Sequence, residues 1–428
     1  MATEGTPPVS ERLSEIRRRL HRYPEPAWCE FATTSAVVDE AERIGVDELH
    51  YGRELYESER RLSLPPEEEL EAWHERARER GARTDVLERT RGGYTGAVAV
   101  LERGSGPTVA LRVDMDALFV AESDAESHRP TREGFRSVTD GVMHACGHDG
   151  HTAIGLGVLE AVRDSDFEGT FKVVFQPAEE VAGGARALAQ SGHVDGVDHL
   201  VAVHLGLDRP TGTVVAGMTK MLAKRRFFVE FSGTSAHAAK NPEQGANAVQ
   251  AAVDAASSVY AIPRHGGGAT RVNVGRIEGG TTTNVVSESA EFELEVRGDD
   301  TDLMEYMYEE CETVIRTAAE RYGCDADVTV RGEAIRADSD ERTSRHVLAA
   351  AEEHPSVTDA VASEAFGASE DATYLMKRVT ERGGTATYAV VGTDHPAGHH
   401  AAAFDVDEAS LGLGVEVLAD AVVRAGRE

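Results

Sequence analysis

Lysine is scarce in this chain. Only Lys172, Lys220, Lys224, Lys240 and Lys377 occur among 44 basic residues, against 75 acidic ones, and the formal net charge is −31. That excess excludes nucleic acid and an anionic membrane surface as partners, because their phosphates would be repelled. The acids are spread along the whole chain rather than gathered in a tail. An evenly acidic, lysine-poor surface suits a protein kept hydrated in concentrated salt, where screening confines repulsion to roughly 3 Å at 1 M. A halophilic source is the expectation. Cysteine is scarce too. Cys29, Cys146, Cys311 and Cys324 are scattered without CxxC spacing, which argues against a disulfide scaffold. No apolar run approaches the ~20 residues that cross a bilayer. The opening "MATEGTPPVSERLSEIRRRL" lacks the apolar segment of a signal peptide. The expectation is a cytoplasmic protein. What is present is enough for real cores: 41% of the 428 residues are hydrophobic, which accommodates two or three domains.

The apolar spacing predicts helices over Ser10–Leu20 and Thr33–Ile44. A charged block from Tyr56 to Val86 carries helical spacing with little apolar content and reads as a solvated surface helix inserted in a core domain. From Tyr94 the pattern becomes α/β. "GAVAVLE", "PTVALRVDMDAL", "GTFKVVFQPAEE" and "HLVAVHLG" read as strands, with "HTAIGLGVLEAV" and "GGARALAQSG" as helices between them. Alternating strands and helices imply a mostly parallel mixed sheet with helices on both faces. Sites in such sheets gather at the carboxyl ends of strands, where Asp114, Asp116, Glu179, Glu180 and His204 fall. Between about Lys224 and Arg331 the order changes to βαββαβ, the ferredoxin-like α+β unit. The expected architecture is therefore an α/β catalytic domain, residues 1–220 and 335–428, interrupted by an inserted domain over 224–331.

The chemistry concentrates in "HACGHDGHTA", which holds His144, Cys146, His148, Asp149 and His151 within eight positions. Further candidates are Glu179 and Glu180 in "FQPAEE", His204, and a histidine of "DHPAGHHAAAFD". Thiolate, imidazole and carboxylate are the donors that zinc, manganese or cobalt accept. Cys146 and His148 are one residue apart, so a tight loop can aim both at one ion. Of two adjacent carboxylates, one can bind metal while the other takes a proton from water. Taken singly, each residue has a plainer reading: His204 as a core histidine, Cys146 as an inert buried thiol, the glutamate pair as solvated surface. Their joint occurrence at strand ends of one domain favours a metal centre. A cysteine nucleophile with a histidine base is the rival. It accounts for Cys146 and one histidine but not for the carboxylate pair.

These stretches resemble the dinuclear metallo-amidohydrolases related to carboxypeptidases and aminoacylases. The resemblance is closest to the subgroup of hippurate, indole-acetyl-amino-acid and p-aminobenzoyl-glutamate hydrolases. It is carried in order by "HRYPEPAWCE", "LRVDMDAL", "MHACGHDGHTA", "FQPAEE", "HLG", "SGTSAHAA", "TTTNVVSESAEFELEVRG" and "GHHAAAFDVDE". It implies two divalent ions, manganese or zinc with cobalt as a further option, held by Cys146, His148, Glu180, His204 and His400. It implies Glu179 as general base and His237 as the group that reaches a neighbouring subunit's site and polarises the scissile carbonyl. Asn284 and Arg297 would hold the substrate carboxylate, a task that suits the planar fork of arginine. Where the wider family has a His-x-Asp motif this chain has "RVD", so Asp114 is expected to orient a ligand rather than to bind metal. The subgroup often has a proline after the last histidine where this chain has "HHAAAF", which leaves His399 as the alternative to His400. His144, Asp149 and His151 are assigned to the loop or to supporting roles. The implied activity is hydrolysis of N-acyl amino acids of aryl or aminobenzoyl type by metal-activated water. The inserted domain would serve as lid and as the contact of a homodimer. The charged block from Tyr56 to Val86 resembles the insertion of aminobenzoyl-glutamate-type members. A non-catalytic, metabolite-binding descendant of the fold is the alternative. No nucleic-acid or membrane partner is expected.

Overall fold

The computed structural model describes residues 9–428. The first eight residues, part of the stretch read above as lacking an apolar leader, lie outside the described residues. The chain divides into two units. One comprises the described residues up to Thr219 with Ala337–Phe366 and Asp371–Glu428; the other comprises Lys220–Arg336 and Gly367–Glu370.

The larger unit is built on an eight-stranded sheet. Its order is Glu48–Tyr51, Ala97–Glu102, Thr170–Gln176, Thr108–Asp114, His199–Leu205, Thr385–Val391, Thr213–Val215 and Asp359–Val361. The four central strands run parallel, and the next strand on each side, Ala97–Glu102 and Thr213–Val215, pairs with them antiparallel. Successive residues Val173, Val174, Phe175 and Gln176 are all buried, as is every residue of His199–Leu205. Burial without alternation requires cover on both faces, which is why these strands read as continuous apolar runs. Helices Val9–Arg22, Phe31–Ile44, His148–Arg163 and Ala409–Ala425 pack on one another over this sheet. No helix among the described residues is long and apolar enough to cross a membrane.

The charged block is not one solvated helix. It forms helices Glu67–Glu79 and Thr84–Thr90, both packed on Phe31–Ile44. Leu70, Trp73 and Ala77 lie at helical spacing and are buried, as are Val86 and Leu87. A stripe three residues wide is enough to dock a helix whose other faces are charged.

The smaller unit has strands Ala223–Ser232, Thr270–Gly279, Ser289–Gly298 and Asp325–Ala334, with helices Ala248–Ser258 and Thr301–Arg321. Chain order is βαββαβ, and the antiparallel sheet runs second, third, first, fourth. Burial alternates along Ala223–Ser232, so Phe227, Val229 and Phe231 face the helices while Arg226, Phe228 and Glu230 face away. The four residues Gly367–Glu370 also belong to this unit. Nothing in their composition marks them as separate from the catalytic segment around them.

Candidate metal centre

Turns and strand ends at the carboxyl side of the parallel strands bring the polar groups of the larger unit together. The loop before helix His148–Arg163 ends in Cys146 and Gly147, the latter at φ +89. That left-handed conformation strains any residue with a Cβ. It reverses the chain between Cys146 and His148 so that both face the same point. Strand Thr170–Gln176 runs into Pro177 and then Ala178 at φ +56. The turn is held by Glu30, whose Oε1 accepts the Ala178 N–H at 2.9 Å. Gly184 closes it: a Cβ there would lie 1.9 Å from the Pro177 carbonyl oxygen. Glu179 and Glu180 follow. His204 is the penultimate residue of its strand. His400 adopts φ +65, and its N–H donates to the Ala145 carbonyl at 2.7 Å.

The side chains converge. Cys146 Sγ lies 3.5 Å from His204 Nε2. His148 Nε2 and His400 Nε2 each lie 3.6 Å from a Glu180 oxygen. Cys146, His148 and His204 form one set whose donor atoms lie within 4.8 Å of one another; Cys146, Glu180 and His400 form a second, and His148, Glu179 and Glu180 a third. Cys146 thus joins the first triad to the second, and Glu180 the second to the third. His399 is directed elsewhere, its Nε2 3.2 Å from the Leu205 carbonyl. The structure therefore brings His400 to the cluster and leaves His399 beside it.

The imidazoles are held by bonds on their far sides. His148 Nδ1 faces Asp116 Oδ1 at 3.2 Å, and the other oxygen of Asp116 accepts the Glu180 N–H at 3.0 Å. His204 Nδ1 donates to the Leu205 carbonyl at 2.7 Å. Both rings thereby present Nε2 to the cluster. Burial, with His151 next, holds His204 well below the ordinary histidine range and so neutral. Burial works against a proton on His148, but Asp114, Asp116 and Cys146 outweigh it and raise that histidine. Burial, then Glu180, pushes the Cys146 thiol well up. The carboxylates that favour a proton on His148 favour a cation equally. His148 Nε2 is buried and makes no hydrogen bond among the described residues. A thiol, three imidazoles and a carboxylate, arranged in overlapping triads, fit divalent metal ions.

Asp114 does orient a histidine, but a different one. Its Oδ1 takes His151 Nδ1 at 2.5 Å, and its Oδ2 accepts from Arg112 at 2.7 Å. The residue that orients His148 is Asp116, which the sequence reading passed over. The signal was available: Asp114 and Asp116 flank buried Met115 and share one face at a strand end. Asp149 points away and binds Arg17 and His21, each at 2.8 Å. His144 is buried with neither ring nitrogen hydrogen-bonded among the described residues.

The other candidates belong to the smaller unit. His237 pairs with Val285 across a two-residue ladder, and the Ala238 N–H donates to the Asn284 carbonyl at 3.0 Å. His237 and Asn284 are therefore neighbours. Arg297 is not beside them. It sits opposite Lys224 and Arg271, at the end of its strand away from Ser289 and Ser232.

Comparison with known proteins gives the family. The model of "Peptidase family M20/M25/M40" matches residues 110–424. The chain belongs to this family. One subunit of the p-aminobenzoyl-glutamate hydrolase of Escherichia coli (strain K12) is 42% identical to this M20-family chain over 415 residues, 96% of this chain and 95% of that one. The indole-3-acetyl-aspartic acid hydrolase of Enterobacter agglomerans is 43% identical over 411 residues, 95% and 94% of the two chains. Among solved structures, the aminobenzoyl-glutamate utilization protein of Klebsiella pneumoniae superposes with a TM-score of 0.84 at 37% identity, covering 97% of this chain and 96% of that one.

Proposed function

We propose that this M20-family chain is a metal-dependent amidohydrolase that cleaves the amide bond of N-acyl amino acids carrying an aryl or aminobenzoyl acyl group. The observation that carries the reading is the overlap of three triads, two of them joined by Cys146 and two by Glu180, with Glu179 a member of the third. Cys146, His148, Glu180, His204 and His400 would hold two divalent ions, manganese or zinc, with cobalt as a substitute. Bound there, such ions supply Lewis acidity toward a water and toward the amide carbonyl.

The chain's own residues do the rest. Asp116 and the Leu205 carbonyl fix His148 and His204 with Nε2 forward. The turn at Ala178 sets Glu179 beside Glu180, beyond the end of the strand ladder, where it takes the proton of the attacking water and returns it to the leaving amine nitrogen. Arg297 and Asn284 are assigned to the carboxylate of the substrate's amino-acid part. His237 is assigned to the scissile carbonyl in the site of a neighbouring subunit. The smaller unit is assigned as the contact of a homodimer.

The cysteine-hydrolase alternative fits less well. Burial beside Glu180 pushes the Cys146 thiol up, whereas a nucleophilic cysteine needs it lowered. The acidic, lysine-poor composition supports a halophilic protein, and a cytoplasmic one is part of this reading, so assays belong in molar salt as well as dilute buffer.

The test is a panel of N-acyl amino acids assayed with manganese, zinc or cobalt, before and after chelation. Activity that needs metal, together with a Glu179→Ala variant that keeps its metal but loses about 10²–10⁴-fold in turnover, is the expected result. Full activity after exhaustive chelation, or near-normal turnover in Glu179→Ala, would overturn the proposal.

A further inference from the structure

We propose a second metal site in the larger unit, formed by His199, His346 and Glu428 and suited to a zinc-class divalent cation. It is independent of the cluster described above. His199 opens the strand whose other end carries His204. Five residues at roughly 3.3 Å each put the two sites about 17 Å apart, at opposite ends of the sheet.

Three elements meet there. His346 lies on helix Glu341–Glu353, and Glu428 follows helix Ala409–Ala425. His346 Nε2 is 3.3 Å from one Glu428 oxygen, and His199 Nε2 is 3.8 Å from the other. The three donor atoms lie within 4.8 Å of one another. The two rings stand nearly perpendicular, with centroids 5.4 Å apart. His199 is 1% exposed. Its Nδ1 lies 3.1 Å from the Thr343 hydroxyl and 3.3 Å from that of Thr385. Donation from Nδ1 to a threonine oxygen leaves the lone pair on Nε2, aimed at Glu428. That is the arrangement by which outer hydrogen bonds prepare an imidazole for a metal. Neither His199 Nε2 nor His346 Nε2 makes a hydrogen bond among the described residues, although both are buried.

An ordinary ion pair does not account for the cluster. Burial lowers the proton affinity of both imidazoles. The charged partners of Glu428 are instead Arg342 at 3.1 Å and Arg345 at 2.5 Å. Two neutral imidazoles and a carboxylate are a donor set that zinc, cobalt and nickel share. A groove lined by Pro107, Asp198, His199, Arg342 and Glu428 gives an ion its path in. A cation bound here would tie the start of a central strand to one helix and to the segment after another. The two arginines oppose it, and that opposition supplies a second test.

The experiment is metal analysis of the full-length protein equilibrated in zinc-buffered solution. His346→Ala and Glu428→Gln should each retain one zinc fewer per chain than the unaltered protein, with amide hydrolysis unchanged. With cobalt, the thiolate absorption contributed by Cys146 should persist in both variants while the sulfur-free absorption falls. Equal metal content in the variants and the unaltered protein would overturn the proposal, whatever the outcome for the main cluster. If those variants do not fold, Arg345→Gln decides. It removes an exposed positive charge beside Glu428 and should tighten zinc retention about tenfold, the scale of one screened charge a few ångströms away. Unchanged retention in Arg345→Gln would equally refute the site.

Discussion

Replacing Asp116 by asparagine isolates the bond that positions one metal-binding imidazole. Asp116 is 1% exposed and offers one oxygen to His148 Nδ1 at 3.2 Å and the other to the Glu180 N–H at 3.0 Å. Asparagine has the same shape but a single oxygen. Two buried donors must then share one acceptor, and one of them faces the amide NH₂. A buried donor left unsatisfied costs about 1–3 kcal/mol. Loss of a group that orients a metal-binding histidine weakens metal affinity roughly 10–100-fold, which is about 1.4–2.8 kcal/mol at 1.4 kcal/mol per decade. The two routes agree in size. The assay is a competitive titration of zinc against a chromophoric chelator, with circular dichroism to confirm folding. We expect Asp116→Asn to fold and to bind zinc 10–100-fold more weakly. Affinity within about threefold of the unaltered protein would show that His148 does not depend on Asp116 for its orientation.

Three further outcomes follow from the buried groups. Arg17 is fully buried and joins Asp149 at 2.8 Å to Asp405 at 2.6 Å. Arg17→Met strands both carboxylates and should cost about 3–5 kcal/mol in urea unfolding, although His21 and Arg129 remain to each; a loss under about 1 kcal/mol would mean the network is dispensable. Gly184→Ala drives a Cβ into the Pro177 carbonyl and displaces the turn that carries Glu179, so turnover should fall more than metal content, while Gly412→Ala, in a helix where a Cβ meets nothing within 4 Å, should leave turnover intact. Burial lowers His144 to about 3, whereas in the unfolded chain it titrates near 6.5. Between those values the unfolded chain holds the extra proton, so stability rises with pH and is lost on acidification, by at most about 1.4 kcal/mol per pH unit. His144→Phe should flatten that slope between pH 4.5 and 6.5, and an unaltered slope would contradict the assignment.

The parallel core was legible because strands such as "TFKVVFQ" and "HLVAVHL" are apolar on both faces, and the inserted unit because "ESAEFELEVRG" alternates strictly. The block from Tyr56 to Val86 misled because only Leu70, Trp73 and Ala77 of its first helix are buried, too few to stand out among its charges. Asp114 and Asp116 could not be told apart by composition: they stand two residues apart at one strand end and both approach His148, Asp116 Oδ1 at 3.2 Å from its Nδ1 and Asp114 Oδ1 at 3.6 Å from its Nε2. Membership of Gly367–Glu370 in the smaller unit is a property of tertiary contact alone.

The histidines pose the same difficulty in sharper form, and the backbone resolves it. His148, His151 and His204 all turn Nδ1 toward an oxygen, from Asp116, Asp114 and the Leu205 carbonyl respectively. In its neutral form each ring therefore carries the lone pair on Nε2. Sequence motif and tautomer are equivalent for the three. The difference lies in what reaches the other nitrogen. The Leu205 N–H donates to His151 Nε2 at 2.8 Å and so consumes its lone pair. His399 takes the converse tautomer, with Nε2 donating to the Leu205 carbonyl and the lone pair left on Nδ1. His148 and His204 receive no such bond from the main chain at Nε2. A single residue, Leu205, thus removes one histidine from the set of candidate ligands and orients two others. Which members of a histidine-rich sequence can bind a cation is decided there by two backbone atoms of a leucine, a distinction that no spacing of histidines along the chain can encode.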